Sequence, residues 1–103
     1  MLTEFETEVL KMLRQIPVGR VTTYKNLACA VKRPQSARAV GNALNKNPDI
    51  PKVPCHRVVA SDGYLGGYAC GARKKTELLK DEGVLVKNGR IVDFKNIIYN
   101  FAD

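Results

Sequence analysis

Three prolines within the eight residues from Asn47 to Pro54 (Pro48, Pro51 and Pro54) limit what this chain can become more than any other feature. Proline fixes its own φ, carries no amide proton and biases the residue before it toward extended conformations. The stretch therefore reads as irregular and stiff. The 103 residues around it are enough for one small domain and one modest hydrophobic core. No run approaches the roughly 20 apolar residues that cross a bilayer, and the acidic start Met1-Leu2-Thr3-Glu4 is unlike a signal peptide, so the chain is expected to be soluble and intracellular.

Short helices are expected before the prolines. Thr3-Glu4-Phe5-Glu6 has capping-box form, and Phe5, Val9, Met12, Leu13 and Ile16 recur at three- and four-residue steps until Pro17 and Gly19 interrupt them. Val21-Thr22-Thr23 reads as a short extended piece feeding a second helix, about Tyr24 to Val31, with a Thr cap. After a turn at Lys32-Arg33-Pro34-Gln35, Ser36 can cap a third helix from Ala37 to about Asn45. Its Val40 and Leu44 face inward and its Arg38, Asn42 and Asn45 share the opposite side. Two short helices joined by a tight turn are a helix-turn-helix candidate.

Past the prolines, Arg57 to Ala60 reads as a short strand and Tyr64 to Gly71 as a Gly-rich loop. Ala72 to Asp81 reads as a helix with Gly83 beyond its end. Val84-Leu85-Val86, Asn88-Gly89 and Ile91-Val92 form a hairpin pattern, and Lys95 to Phe101 a short last helix. The fold class is mainly α with a small β-hairpin.

Lys and Arg outnumber Asp and Glu by 17 to 10, giving +7. The excess is concentrated: from Val9 to Pro48 there is no acid, yet Lys11, Arg14, Arg20, Lys25, Lys32, Arg33, Arg38 and Lys46 fall there. A one-signed stretch in a small domain suits a polyanion, nucleic acid first, or else a basic face that only keeps the protein soluble. Three cysteines, Cys29, Cys55 and Cys70, cannot all pair within one chain, so a free thiol is expected, which fits a reducing compartment. With only His56 beside them, and without paired ligand spacing, a tetrahedral zinc site is not expected, nor any other cofactor.

Pro54-Cys55-His56-Arg57-Val58 sets a thiol beside the chain's only imidazole and next to a guanidinium, the neighbours that favour a nucleophilic thiolate. A buried structural cysteine with a core histidine would share that pattern. The segment resembles the active-site motif of the O6-alkylguanine-DNA alkyltransferases, which move an alkyl group from guanine onto their own cysteine. Val21-Thr22-Thr23-Tyr24, Ala37-Arg38-Ala39-Val40-Gly41, Asn47-Pro48, Gly66-Gly67-Tyr68 and Leu78-Leu79-Lys80-Asp81-Glu82-Gly83 resemble further family segments in order, over residues 3 to 92.

The resemblance implies a winged-helix-like helix-turn-helix catalytic domain that binds duplex DNA, flips out O6-alkylguanine and accepts the alkyl group once and irreversibly. It implies Cys55 as nucleophile, His56 as the base that takes its proton through a water, Glu82 as the carboxylate orienting His56, Tyr24 as proton donor to the departing guanine, and Lys75 as electrostatic support for Tyr24. Base flipping costs a few kcal/mol. By the same resemblance Arg38 fills the vacated stack, the small residues Ala37, Ala39 and Gly41 allow close approach to the minor groove, and Thr23 and Ser36 contact phosphate. Asn47 braces the turn, and with Val58, Tyr68, Ala69 and Cys70 it belongs to the base pocket.

Two departures stand out. Family members commonly carry a small polar residue and a glycine where this chain has Ala69 and Cys70, so a narrower tolerance for large alkyl groups and a second thiol are expected. By the same resemblance the chain is expected to lack the family's usual N-terminal domain, or to be part of something longer, and to act as one domain over residues 1 to 103, as a monomer. The rival expectation is a lesion-binding protein like the alkyltransferase-like proteins, which lack the reactive cysteine. A thiol hydrolase or redox protein fits less well, since no second Cys has redox spacing and no oxyanion-hole motif is visible.

Overall fold

The computed structural model describes residues 2–50, 52–68 and 70–101. Both halves of the expected capping box open α1 (Glu4–Leu13): Glu6 N donates to Thr3 Oγ1 at 3.1 Å and Thr3 N to Glu6 Oε1 at 2.9 Å. The helix stops before its apolar stripe does. Gln15 N and Ile16 N turn to carbonyls three residues back, Met12 O at 3.0 Å and Leu13 O at 3.1 Å, a tightened last turn that still buries Ile16.

Thr23 caps α2 (Tyr24–Ala30), its Oγ1 accepting from Asn26 N at 3.0 Å. Ser36 does not cap α3 (Ala37–Leu44). Its backbone, at φ −107° and ψ 31°, lies outside the extended region a capping residue uses, and its amide instead closes the preceding turn onto Arg33 O at 2.9 Å. Val9, Leu13, Ile16, Leu27, Ala28, Val40 and Ala43 fill the space between these three helices.

Two parallel residue pairs connect the halves of the chain: β1 (Thr22–Thr23) lies beside β2 (Val58–Val59) with Thr22 opposite Val58 and Thr23 opposite Val59. Arg57, expected in the strand, belongs instead to a single 3-10 turn over Cys55–Arg57, because Arg57 N bonds back to Pro54 O at 3.0 Å. Beyond β2, α4 (Ala72–Asp81) has the expected bounds and ends on Gly83 at φ +87°, a left-handed conformation that costs glycine little. In the hairpin of β3 (Val86–Lys87) and β4 (Arg90–Ile91), Asn88 and Gly89 take φ +52° and +79°, as a two-residue turn with positive φ at both positions requires. Val21, Val59, Leu65, Leu79, Val84 and Ile91 form a second core cluster here. The architecture is thus mainly helical with a small wing-like hairpin. No helix of the described residues is long and apolar enough to cross a membrane.

The C-terminal segment differs from expectation. Only Phe94–Ile97 is helical (α5), after which the chain extends alongside β1: Val21 N donates to Ile97 O at 3.1 Å and Tyr99 N to Val21 O at 2.6 Å. Arg20 fastens this edge, its Nε on Ile97 O at 2.9 Å and its Nη2 on Ile98 O at 2.7 Å. One cation of the acid-free stretch is therefore structural. Hydrogen bonds from charged donors contribute about 1.5–3 kcal/mol, so Arg20→Ala is expected to lower unfolding free energy by about that amount in urea titrations followed by circular dichroism. An unchanged midpoint would show that the tail holds without Arg20.

Candidate active site and nucleic-acid face

Tyr24 opens α2 directly after β1, and Cys55 lies just ahead of β2, so the pairing of the two strands brings both to one cavity of about 350 Å³. Ala37, Gly41, Asn42, Leu44 and Asn45 of the α3 region form one wall, and Gly67 and Tyr68 of the Gly-rich loop form another. The i, i+4, i+7 spacing puts Asn42 and Asn45 on the outward side of α3 with Arg38, and in the structure both line the cavity.

Cys55 is 4% exposed. Burial pushes its thiol pKa up, while the Asn47 amide and the Lys75 charge pull it down, and the upward effect prevails. The sulfur rests as a thiol.

His56 is also buried, and burial lowers its pKa against the upward pull of Glu82. The neutral ring faces Glu82 through Nε2, 2.8 Å from Oε2. A carboxylate accepts, so Nε2 carries the proton and Nδ1, buried without a protein partner, is the basic nitrogen. Burial works to raise the Glu82 pKa, but bonds from Arg57 and His56 outweigh it and the carboxyl stays below its ordinary value. Arg57 supplies a two-pronged grip, Nε on Oε1 at 2.9 Å and Nη2 on Oε2 at 2.7 Å, and its Nη1 donates to Ile16 O at 2.7 Å. From sequence Arg57 was only a charge beside the thiol. In the structure it faces Glu82 and fixes the carboxylate that orients His56.

Lys75, which without the resemblance would read as a solvated charge beside Lys74, is 0% exposed. Its Nζ donates to Val58 O and Leu65 O, both at 2.6 Å, and to Gly67 O at 3.0 Å. Burial pulls its pKa down to about 8, with Cys55 acting in the opposite direction, so it is charged at neutral pH. The expected support of Tyr24 by Lys75 is not a direct contact. Tyr24 OH donates at 3.3 Å to Gly67 O, the carbonyl Lys75 also holds. Burial first, and Cys55 second, raise the Tyr24 pKa.

Of the expected pocket residues, Tyr68 lines the cavity, and burial chiefly pushes its phenol up to about 12. Asn47 and Val58 do not line it. Asn47 braces the turn, donating from Nδ2 to Val53 O at 2.7 Å and accepting from Asp49 N at 3.0 Å, while Val58 is buried in β2. Cys70 is exposed outside the lining, and Ala69 lies outside the described residues.

On the outer face, Arg38 is exposed in the first turn of α3, with Ala39 exposed beside it and Ala37 half-buried against the cavity. Ser36 is half-buried. Thr23 departs from its expected phosphate contact: it is 2% exposed and its hydroxyl is committed to the α2 cap. Lys46 is paired with Glu6 at 2.6 Å. With Arg20 and Lys46 engaged, Lys11, Arg14, Lys25, Lys32, Arg33 and Arg38 remain as the exposed cations of the acid-free stretch.

The fold and the sequence have counterparts in known proteins. Residues 4–84 match the family described as 6-O-methylguanine DNA methyltransferase, DNA binding domain. A methylated-DNA–protein-cysteine methyltransferase of Methanosarcina barkeri is 49% identical over 80 residues, 78% of this chain and 51% of the relative. The Mycobacterium tuberculosis OGT solved in complex with DNA superposes with a TM-score of 0.77 at 41% identity, covering 80% of this chain and 51% of that one. Schizosaccharomyces pombe Atl1, solved with damaged DNA containing O6-carboxymethylguanine, superposes with a TM-score of 0.84 at 30% identity over 97% of this chain and 99% of its own. The chain thus spans about half the length of the curated methyltransferases it matches. A match over most of the chain, carried by a structure that sets a cysteine and two tyrosines around one cavity beside a small-residue helix, makes this chain a member of the 6-O-methylguanine DNA methyltransferase family, through its DNA-binding domain.

Proposed function

We propose that this protein repairs DNA by direct reversal: it binds duplex DNA through α2 and α3, admits an extruded O6-alkylguanine to the cavity, and transfers the alkyl group to Cys55 in a single turnover. The observation that carries this reading is the Cys55 thiol on the wall of the 350 Å³ cavity with a neutral imidazole and an arginine-held carboxylate behind it. A buried cysteine that only packed would need no such relay. Its genomic substrate places its action inside the cell, where a free thiol stays reduced.

The chemistry follows from the resting charges. The Cys55 proton passes to His56 Nδ1 through a water, with Glu82 holding the imidazolium that results. Sγ attacks the alkyl carbon, the carbon–O6 bond breaks, and its electron pair goes to the guanine. Tyr24 OH then gives its proton to the guanine. Cys55 ends as a thioether, which none of the described residues lining the cavity can reverse. Arg38 occupies the space the nucleotide leaves, Ala37, Ala39 and Gly41 permit close approach, and the exposed cations supply salt-sensitive attraction to phosphates. Lys75 acts on Tyr24 through the carbonyl they share.

The end-to-end superposition on Atl1 favours a second reading, lesion binding without transfer. Intact mass after incubation with a methylguanine duplex separates the two. A gain of one methyl on Cys55, absent in Cys55→Ser, is expected; a protein that binds the duplex yet stays unmodified with its thiol reduced belongs with the binders.

The relay also fixes the pH dependence. Only neutral His56 can accept the proton, and its pKa lies below the ordinary 6.5, so the transfer rate is expected to hold at pH 7 and fall only below about 6.5. Glu82→Gln is expected to slow transfer by about 10²-fold at pH 7. Rapid-quench kinetics from pH 5 to 8 check both, and a rate unaffected by Glu82→Gln would remove the carboxylate from the mechanism.

A further inference from the structure

Two glycines flank the Tyr24 ring, and they are not equivalent. A Cβ on Gly41 would stand 4.0 Å from Tyr24 Cε1, an ordinary contact. A Cβ on Gly66 would stand 3.0 Å from Tyr24 OH, 3.2 Å from Cε2 and 3.6 Å from Cζ, and Gly66 is held at φ +73°. The next residue, Gly67, has open space around its own Cα but supplies the carbonyl on which the phenol rests.

We infer that Gly66 is a positioning residue for the reaction, its missing side chain being what lets the Tyr24 hydroxyl settle on Gly67 O at the cavity wall. Several constraints meet there. Lys75 Nζ bonds Leu65 O and Gly67 O, the residues on either side of Gly66, and so pins the loop against the tyrosine. Loop and ring cannot separate to accommodate a methyl group, because the same Nζ anchors the loop to Val58 O in β2, and β2 pairs with β1, which leads directly into Tyr24. On the far side stands Gly41. A side chain at residue 66 therefore displaces the phenol toward the open cavity that Tyr24 lines. The hydroxyl would then leave Gly67 O and enter the space the guanine needs. Gly66 is not among the residues that line the cavity and acts through Tyr24. This inference rests on the alkyl-transfer reading for its consequence, though not for its geometry.

The test is a cycle of Gly66→Ala, Tyr24→Phe and the double variant, with Gly83→Ala as control. Gly83 shares the left-handed backbone, at φ +87°, but a Cβ there meets nothing within 4 Å, so it reports the backbone penalty alone. Transfer is expected to fall about 10- to 100-fold in Gly66→Ala, the scale of a misplaced proton donor, and to change by no more than about 2-fold in Gly83→Ala. In the Tyr24→Phe background, adding Gly66→Ala is expected to cost no further rate. Thermal melting follows the contact itself. Removing the hydroxyl relieves the closest approach, so the double variant is expected to melt above Gly66→Ala, and to fold if Gly66→Ala does not. The phenol carbon of Tyr24, followed by NMR in tyrosine-labelled protein, is expected to titrate at a changed pH in Gly66→Ala, because both its burial and its bond to Gly67 O change. Independent, multiplying rate losses, no rescue of melting by Tyr24→Phe, or an unchanged phenol titration would each overturn the inference. Absence of methyl transfer in the unsubstituted protein would instead overturn the repair reading, leaving melting and titration to decide the role of Gly66.

Discussion

Two residues of parallel pairing, Thr22 with Val58 and Thr23 with Val59, hold this protein's chemistry together. Parallel strands cannot be joined by a tight turn, so a crossover must separate them, and here it comprises α2, α3 and the proline-rich segment. The crossover contains the helix pair that would meet DNA. Its two ends deliver the phenol and the thiol to the same cavity. The helices, the cavity and the reacting groups are thus parts of one topological unit rather than a site attached to a scaffold, and the stiffness of the prolines sets how Cys55 arrives.

Behind the cavity the charges are arranged so that little is ionised where reaction would begin. Cys55 and Tyr24 hold their protons, His56 is neutral, and the fixed charges, Glu82 with Arg57 and Lys75 among three carbonyls, are all compensated. A buried uncompensated charge would be costly, whereas a buried neutral thiol is cheap to keep until an electrophile arrives. Arg57 has a mechanical part as well. Through Ile16 O it connects the end of α1 to the end of α4, so the carboxylate behind His56 is held from both sides of the molecule.

What could be read from the sequence was local. The capping box at Thr3, the bounds of α4 and the Asn88-Gly89 turn depend on residues within a few positions of each other, and the local pattern identifies them. The positions that could not be read depend on distant partners. Arg57 finds Glu82 25 residues away, Arg20 finds Ile97 77 away, and Lys75 takes carbonyls from two different segments. A lysine beside a lysine carries no sign of burial, and a threonine fit to touch phosphate is equally fit to cap a helix, as Thr23 does. Val58 follows the same rule: it lies three residues from the cavity-lining Cys55, but strand pairing turns it into the core. Family resemblance pointed to Lys75 without showing that its ammonium and the Tyr24 hydroxyl meet on one backbone carbonyl.

The segment after α5 carries a consequence for handling this protein. Because Ile97 to Tyr99 bonds directly to Val21, at the head of the strand that leads to Tyr24, force or bulk applied beyond Phe101 is transmitted along one hydrogen-bonded edge to the phenol. A fluorophore, surface anchor or fused partner at that end would act as a lever on the cavity. The other end is no freer: Leu2, just ahead of Thr3, packs on the core and shares a hollow with Asn47, Pro48 and Val53 of the segment that leads to Cys55, so a bulky attachment there would press on the thiol's side of the cavity.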